Sequence, residues 1–77
     1  MRRRAQPSVS RSQAAGWRRD HQAQLRERLW SVMCAEACES DGDEAAARHY
    51  REKAARHADA AARILGTLRR FNAEFAR

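Results

Sequence analysis

Residues 47–75 read ARHYREKAARHADAAARILGTLRRFNAEF, and the order of apolar positions in this stretch decides the fold. Ala47, Tyr50, Ala54, His57, Ala61, Ile64, Leu68, Phe71 and Phe75 follow one another at alternating short steps of three and four residues. That alternation is the heptad seam of a helix packed lengthwise along another helix. His57 is its only departure from apolar character. One polar residue in such a seam is a device that fixes register and the number of partners.

Working back from this stretch, Ser40-Asp41-Gly42-Asp43 is the break. Gly42 suits the left-handed conformation that ends a helix. Asp41 or Asp43 suits the N-cap of the next, and Asp43 and Glu44 favour its positive end. The second helix is expected over about residues 44–76, with Gly66 on its outward face. The first is expected over about 13–39, capped by Ser10 or Ser12, with Ser10 and Gln13 at capping-box spacing. Its stripe reads Ala14, Trp17, His21, Leu25, Leu29, Val32 and Met33, less regular than the second helix, with Trp30 and Ala37 to one side. A connection of about four residues makes the two helices antiparallel neighbours. Tyr50 then lies level with Met33, Ala54 with Leu29, His57 near Leu25 and Ile64 near Arg19. The small Ala54, Ala58 and Ala61 would admit the leucines of the first helix.

The expected fold is therefore all-α, a coiled-coil-like antiparallel hairpin over residues 11–77 behind a disordered basic arm over 1–10. Arg2, Arg3 and Arg4 repel one another there and Pro7 stops helix continuation. Seventy-seven residues make one domain at most, and a chain this short is marginal without a disulfide, a metal or a partner. Two helices cannot hide every large apolar group. A homodimer forming a four-helix bundle covers the excess, with Trp17, Leu25, Leu29, Trp30, Met33, Tyr50, His57, Ile64, Leu68, Phe71 and Phe75 as interface residues. The alternative is a hairpin whose exposed face docks on a different protein.

The formal net charge is +6, and fifteen of the sixteen basic residues are arginine, which points to phosphate recognition or to a GC-rich coding sequence. The charge is also segregated. Residues 1–28 carry a net +6, residues 29–47 a net −5 and residues 48–77 a net +5. Folding the hairpin makes an acidic tip and a basic open end. Arg2, Arg3, Arg4, Arg11, Arg18, Arg19, Arg63, Arg69, Arg70 and Arg77 are the candidate nucleic-acid-binding residues. Two other readings stand beside this one: association of the tip of one molecule with the basic end of another, and a solvated surface that only keeps the chain in solution. No recognition helix, zinc finger or aromatic-bearing strand is present, so DNA or RNA would be held through its backbone.

Catalysis lacks a constellation: there are no paired carboxylates, no nucleophile with a base and no glycine-rich phosphate loop. The chain is read as non-enzymatic and without a cofactor. Cys34 and Cys38, with His49 opposite, are the nearest approach to a metal site, but two or three ligands at this spacing read as semi-buried structural residues. A disulfide between them is geometrically poor. No apolar run is long enough for a membrane span. The first residues lack a secretory h-region, although Arg and Ser without acid there faintly match a mitochondrial presequence. A reducing, cytoplasmic setting is expected.

Gly42-Asp43-Glu44-Ala45-Ala46-Ala47-Arg48-His49-Tyr50-Arg51-Glu52-Lys53-Ala54 resembles the second half of a tetratricopeptide repeat, with Gly42, Ala47, Tyr50 and Ala54 at compatible spacings. One repeat makes no solenoid, so the shared signal is that of a helical hairpin. The layout also resembles Rop-type plasmid proteins, hairpins that dimerise into four-helix bundles and bind RNA, with no residue carried over. The second half, ending Ile64-Leu65-Gly66-Thr67-Leu68-Arg69-Arg70-Phe71-Asn72, resembles the KleA/KleC proteins of broad-host-range plasmids. That resemblance implies a small helical accessory protein of plasmid or phage maintenance.

Overall fold

Ser10 sets the start of the first helix. Its backbone is extended (φ −71°, ψ 160°) and its hydroxyl accepts the Gln13 N–H at 3.1 Å, satisfying one of the amides a helix start leaves open. The computed structural model describes the backbone of residues 10–75 and the side chains of residues 10–71. The expected arm, with Arg2, Arg3 and Arg4, lies outside the described residues apart from Ser10, as do Arg77 and the Phe75 side chain. Helix α1 spans Arg11–Ser40 and helix α2 spans Glu44–Phe75. The first helix is thus longer at both ends than its sequence boundaries of about 13–39.

The connection is tight because Gly42 takes a positive φ of 79°. Its N–H then bonds the Glu39 carbonyl at 3.0 Å while the Asp43 N–H reaches back to the Cys38 carbonyl at 2.9 Å. These two bonds are the Schellman arrangement, which closes the last carbonyls of α1. Asp43 immediately caps α2, its carboxylate accepting the Ala46 N–H at 3.1 Å. Across the turn Arg51 of α2 pairs with Glu39 of α1 and lies 3.6 Å from Glu44. All three side chains are about half exposed or more, so these pairs orient the tip and add little stability.

The two helices pack lengthwise against each other into a rod of 66 × 15 × 15 Å. The α2 seam is the one read from its spacing: Ala47, Ala54, Ala61 and Leu68 are buried, and Tyr50, His57, Ile64 and Phe71 are half-buried beside them. The α1 seam is different from the expected stripe. Ala14, Ser31 and Ala35 are the buried residues of α1, while Leu25, Leu29 and Met33 are 37, 60 and 51 % exposed. The row facing α2 is Ala14, Trp17, His21, Gln24, Arg28, Ser31, Ala35 and Cys38, again at steps of three and four. The physical reason is the size of the facing residues. Among the described residues five alanines and a single leucine are the buried apolar ones, and Ser31 (1 % exposed) is buried with them. Small residues on both helices permit close approach, and a leucine against Ala54 would hold the axes apart.

Axial register agrees with the expectation even where rotation does not. His57 Nδ1 and Gln24 Oε1 lie 2.7 Å apart, one residue from the expected level at Leu25. This bond gives the polar residue of the α2 seam a partner inside the hairpin. At the open end Trp17 and Phe71 stack with ring centroids 5.6 Å apart.

Candidate nucleic-acid interface

A residue two positions past a seam residue sits about 200° round the helix and points outward. Arginine occupies that position repeatedly. Arg56, Arg63 and Arg70 follow the buried Ala54, Ala61 and Leu68, and Arg19 and Arg26 follow Trp17 and Gln24. All five are exposed. The spacing of seven puts successive guanidinium groups about 10 Å apart along each helix. Arg18, Arg19, Gln22 and Arg26 line a shallow open depression on α1. The Arg70 guanidinium lies 5.4 Å from the centre of the Phe71 ring, a cation–π contact at the open end. Asp59 stands in the α2 row between Arg56 and Arg63 and pairs with neither.

Folding brings these rows to one half of the rod. Residues 10–28 and 56–71 hold nine arginines against Asp20, Glu27 and Asp59, a net +6. Residues 29–55, at the tip, hold three basic and six acidic residues, a net −3. Among the described residues the ion pairs within 4.0 Å are those of Arg51, so the nine arginines have no carboxylate in contact. Of the candidates the sequence supplies, Arg11, Arg18, Arg19, Arg63, Arg69 and Arg70 fall in this half. Arg26, Arg28 and Arg56 join them without having been candidates. The signal for Arg26 and Arg56 is present in the sequence: each lies seven residues from a candidate, Arg19 and Arg63 respectively.

The remaining chemistry-bearing residues lie elsewhere. Cys34 and Cys38 are free and half-buried near the tip. Burial, then Asp43, Cys34 and Asp41, push the Cys38 thiol above its ordinary range, which disfavours the thiolate needed for metal ligation or nucleophilic attack. His49 is exposed and stands edge-on to Tyr50 at 5.2 Å. Among the described residues no group of three or more His, Cys, Asp and Glu is placed to hold a metal, and no helix is long and apolar enough to cross a membrane. The 15 Å breadth of the rod exceeds the roughly 12 Å of a B-DNA major groove. The arrangement can lie against a phosphate backbone and cannot insert as a single recognition helix does.

Comparison of the chain with protein families, with curated proteins and with solved structures finds no match.

Proposed function

We propose that this chain is a small non-enzymatic protein that associates with nucleic acid through the phosphate backbone, acting as a homodimeric four-helix bundle of the accessory kind that serves plasmid or phage maintenance. The observation that supports this most is the outward row Arg56, Arg63 and Arg70, with Arg19 and Arg26 on the other helix, none in contact with a carboxylate among the described residues. Unpaired guanidinium groups at regular spacing on a rigid helix suit phosphate, which each can hold bidentately. The test is binding of labelled duplex DNA and of structured RNA at low salt, followed by a salt titration. Affinity should fall by roughly 0.9 log units per log unit of salt for each duplex phosphate contact. Arg56→Ala, Arg63→Ala and Arg70→Ala together should flatten that slope by about 2 to 3 units and leave the helical content unchanged. No shift of either nucleic acid at low salt removes the reading.

The second reading is a protein–protein adaptor. It is favoured by Leu29, Trp30 and Met33, three large apolar side chains more than half exposed on one helix. Its complexes would show little salt dependence and no response to the triple arginine variant.

A further inference from the structure

Once α2 takes the small residues of α1, the leucines of α1 are left on the side of the rod, and their neighbours follow a pattern. Arg18, Leu25, Leu29 and Glu36 are separated by seven, four and seven residues. Eighteen residues are five full turns, so the four positions fall within about 40° of one another on the helix surface. The pattern is symmetric in position about residue 27 and inverts in charge: a cation nine residues before the midpoint, an anion nine after it, a leucine two to either side. Leu25 also lines an open groove with Ala58, Ala62 and Leu65 of α2, so the apolar strip continues onto the second helix on the same side of the rod.

We propose that this side is a self-complementary docking surface whose occupant is a second copy of the chain, lying antiparallel. An antiparallel copy sets Leu25 on the partner's Leu29 and Arg18 on the partner's Glu36, and the two-fold repeats both contacts. It also lays each +6 half of a rod beside a −3 tip, whereas a parallel copy superposes the two basic halves. The thin core gives the association a reason: among the described residues, of the buried apolar ones only Leu68 is larger than alanine. The outward rows at Arg56, Arg63 and Arg70 remain uncovered in this arrangement. The inference rests on the homodimer reading above. It does not depend on nucleic-acid binding, because its test contains no nucleic acid.

The test is sedimentation equilibrium of the full chain, with circular dichroism of each variant to show that the hairpin persists. Leu29→Asp and Ala62→Arg replace exposed residues, so helicity should be unchanged while the dimer dissociates. Arg18→Glu or Glu36→Arg alone places like charges opposite one another twice and should weaken the dimer about tenfold. An equimolar mixture of these two single variants pairs opposite charges at both ends and should recover the wild-type affinity as a heterodimer. A wild-type monomer at about 100 μM, where a dimer of micromolar Kd would be almost wholly formed, overturns the homodimer reading and the inference with it. A stable dimer indifferent to Leu29→Asp, or single charge variants that do not recover on mixing, overturns the inference and leaves the homodimer reading standing.

Discussion

Gly42 and Gly66 make the clearest contrast among single residues. Gly42 sits at φ 79°, where any other L residue is strained, although nothing lies within 4 Å of a Cβ built there. Gly42→Ala should therefore lower stability by roughly 1–2 kcal/mol through the backbone alone. Gly66 is exposed inside α2 with open space around it, and Gly66→Ala should raise stability by about 1 kcal/mol. Thermal melts of the two variants should move in opposite directions, and a common direction would contradict these assignments. Cys38 offers a pH-dependent observable. Its thiol is pushed up by burial and then by nearby charge, so the thiolate fraction stays low to higher pH than in an unfolded chain. The iodoacetamide rate of Cys38 in a Cys34→Ser background should inflect at higher pH folded than in denaturant. Added salt should draw the folded inflection down, because Asp43 and Asp41 act through solvent. At this scale the sequence is informative: the Ser10 cap, the left-handed Gly42, the Asp43 cap and the outward Gly66 all follow from local rules that need no tertiary context.

The two helices differ in how well they can be read. Helix α2 alternates large and small apolar residues on one row and carries arginines on the opposite face, so its seam is unambiguous. Helix α1 carries two competing rows. One runs through Leu25, Leu29 and Met33 and draws attention by hydrophobicity. The other, Gln24, Ser31 and Ala35, is polar or small, and it is the one that packs. Continuing the three-four alternation from Ala14, Trp17 and His21 leads to it, because a seam made of alanine on one helix admits small residues on the other. Two substitutions separate the rows. Ala61→Asp puts an unpaired carboxylate in the seam and should cost about 3 kcal/mol or more, seen as lost helicity and a lower melting temperature. Ser31→Leu overpacks a position only 1 % exposed and should cost roughly 1–3 kcal/mol, whereas Leu29→Ser is tolerated in the isolated hairpin. Equal losses at Ser31 and Leu29 would return α1 to the leucine-centred seam.

At the scale of the molecule, shape and charge act together. A rod 66 Å long with a basic half and an acidic tip can associate side by side or end to end. Side-by-side antiparallel pairing closes on itself, and end-to-end pairing of tip with basic end does not close and grows into filaments. Small-angle scattering tells these apart. The antiparallel pair keeps nearly the length of one rod and broadens, while a head-to-tail pair roughly doubles it. Raising salt should dissolve the second kind first, since it has charge alone to hold it. The charge segregation is legible in the order of residues, as is the hairpin that gathers it. Which arginines of α1 face outward is not, because that depends on the rotation of the helix about its axis, and for α1 the rotation is set by alanines opposite rather than by its own leucines.

The turn at Gly42 makes the hairpin a zipper with one closed end. A contact such as that of Arg51 with Glu39 closes a short loop, while Trp17 and Phe71 meet across most of the chain. Ordering should therefore spread from the turn, since the loop-closure entropy is smallest there and each formed layer shortens the next closure. The same gradient governs opening. Amide exchange should be slowest in the middle of the seam nearer the turn and fastest at the arginine-rich mouth, where the rod frays. Trp17 stands at that mouth and Trp30 does not, so heating should change the Trp17 signal before the global melt, with Trp30→Phe used to isolate it. A polyanion that clamps the mouth would delay this early change, giving a readout of binding from within the chain itself.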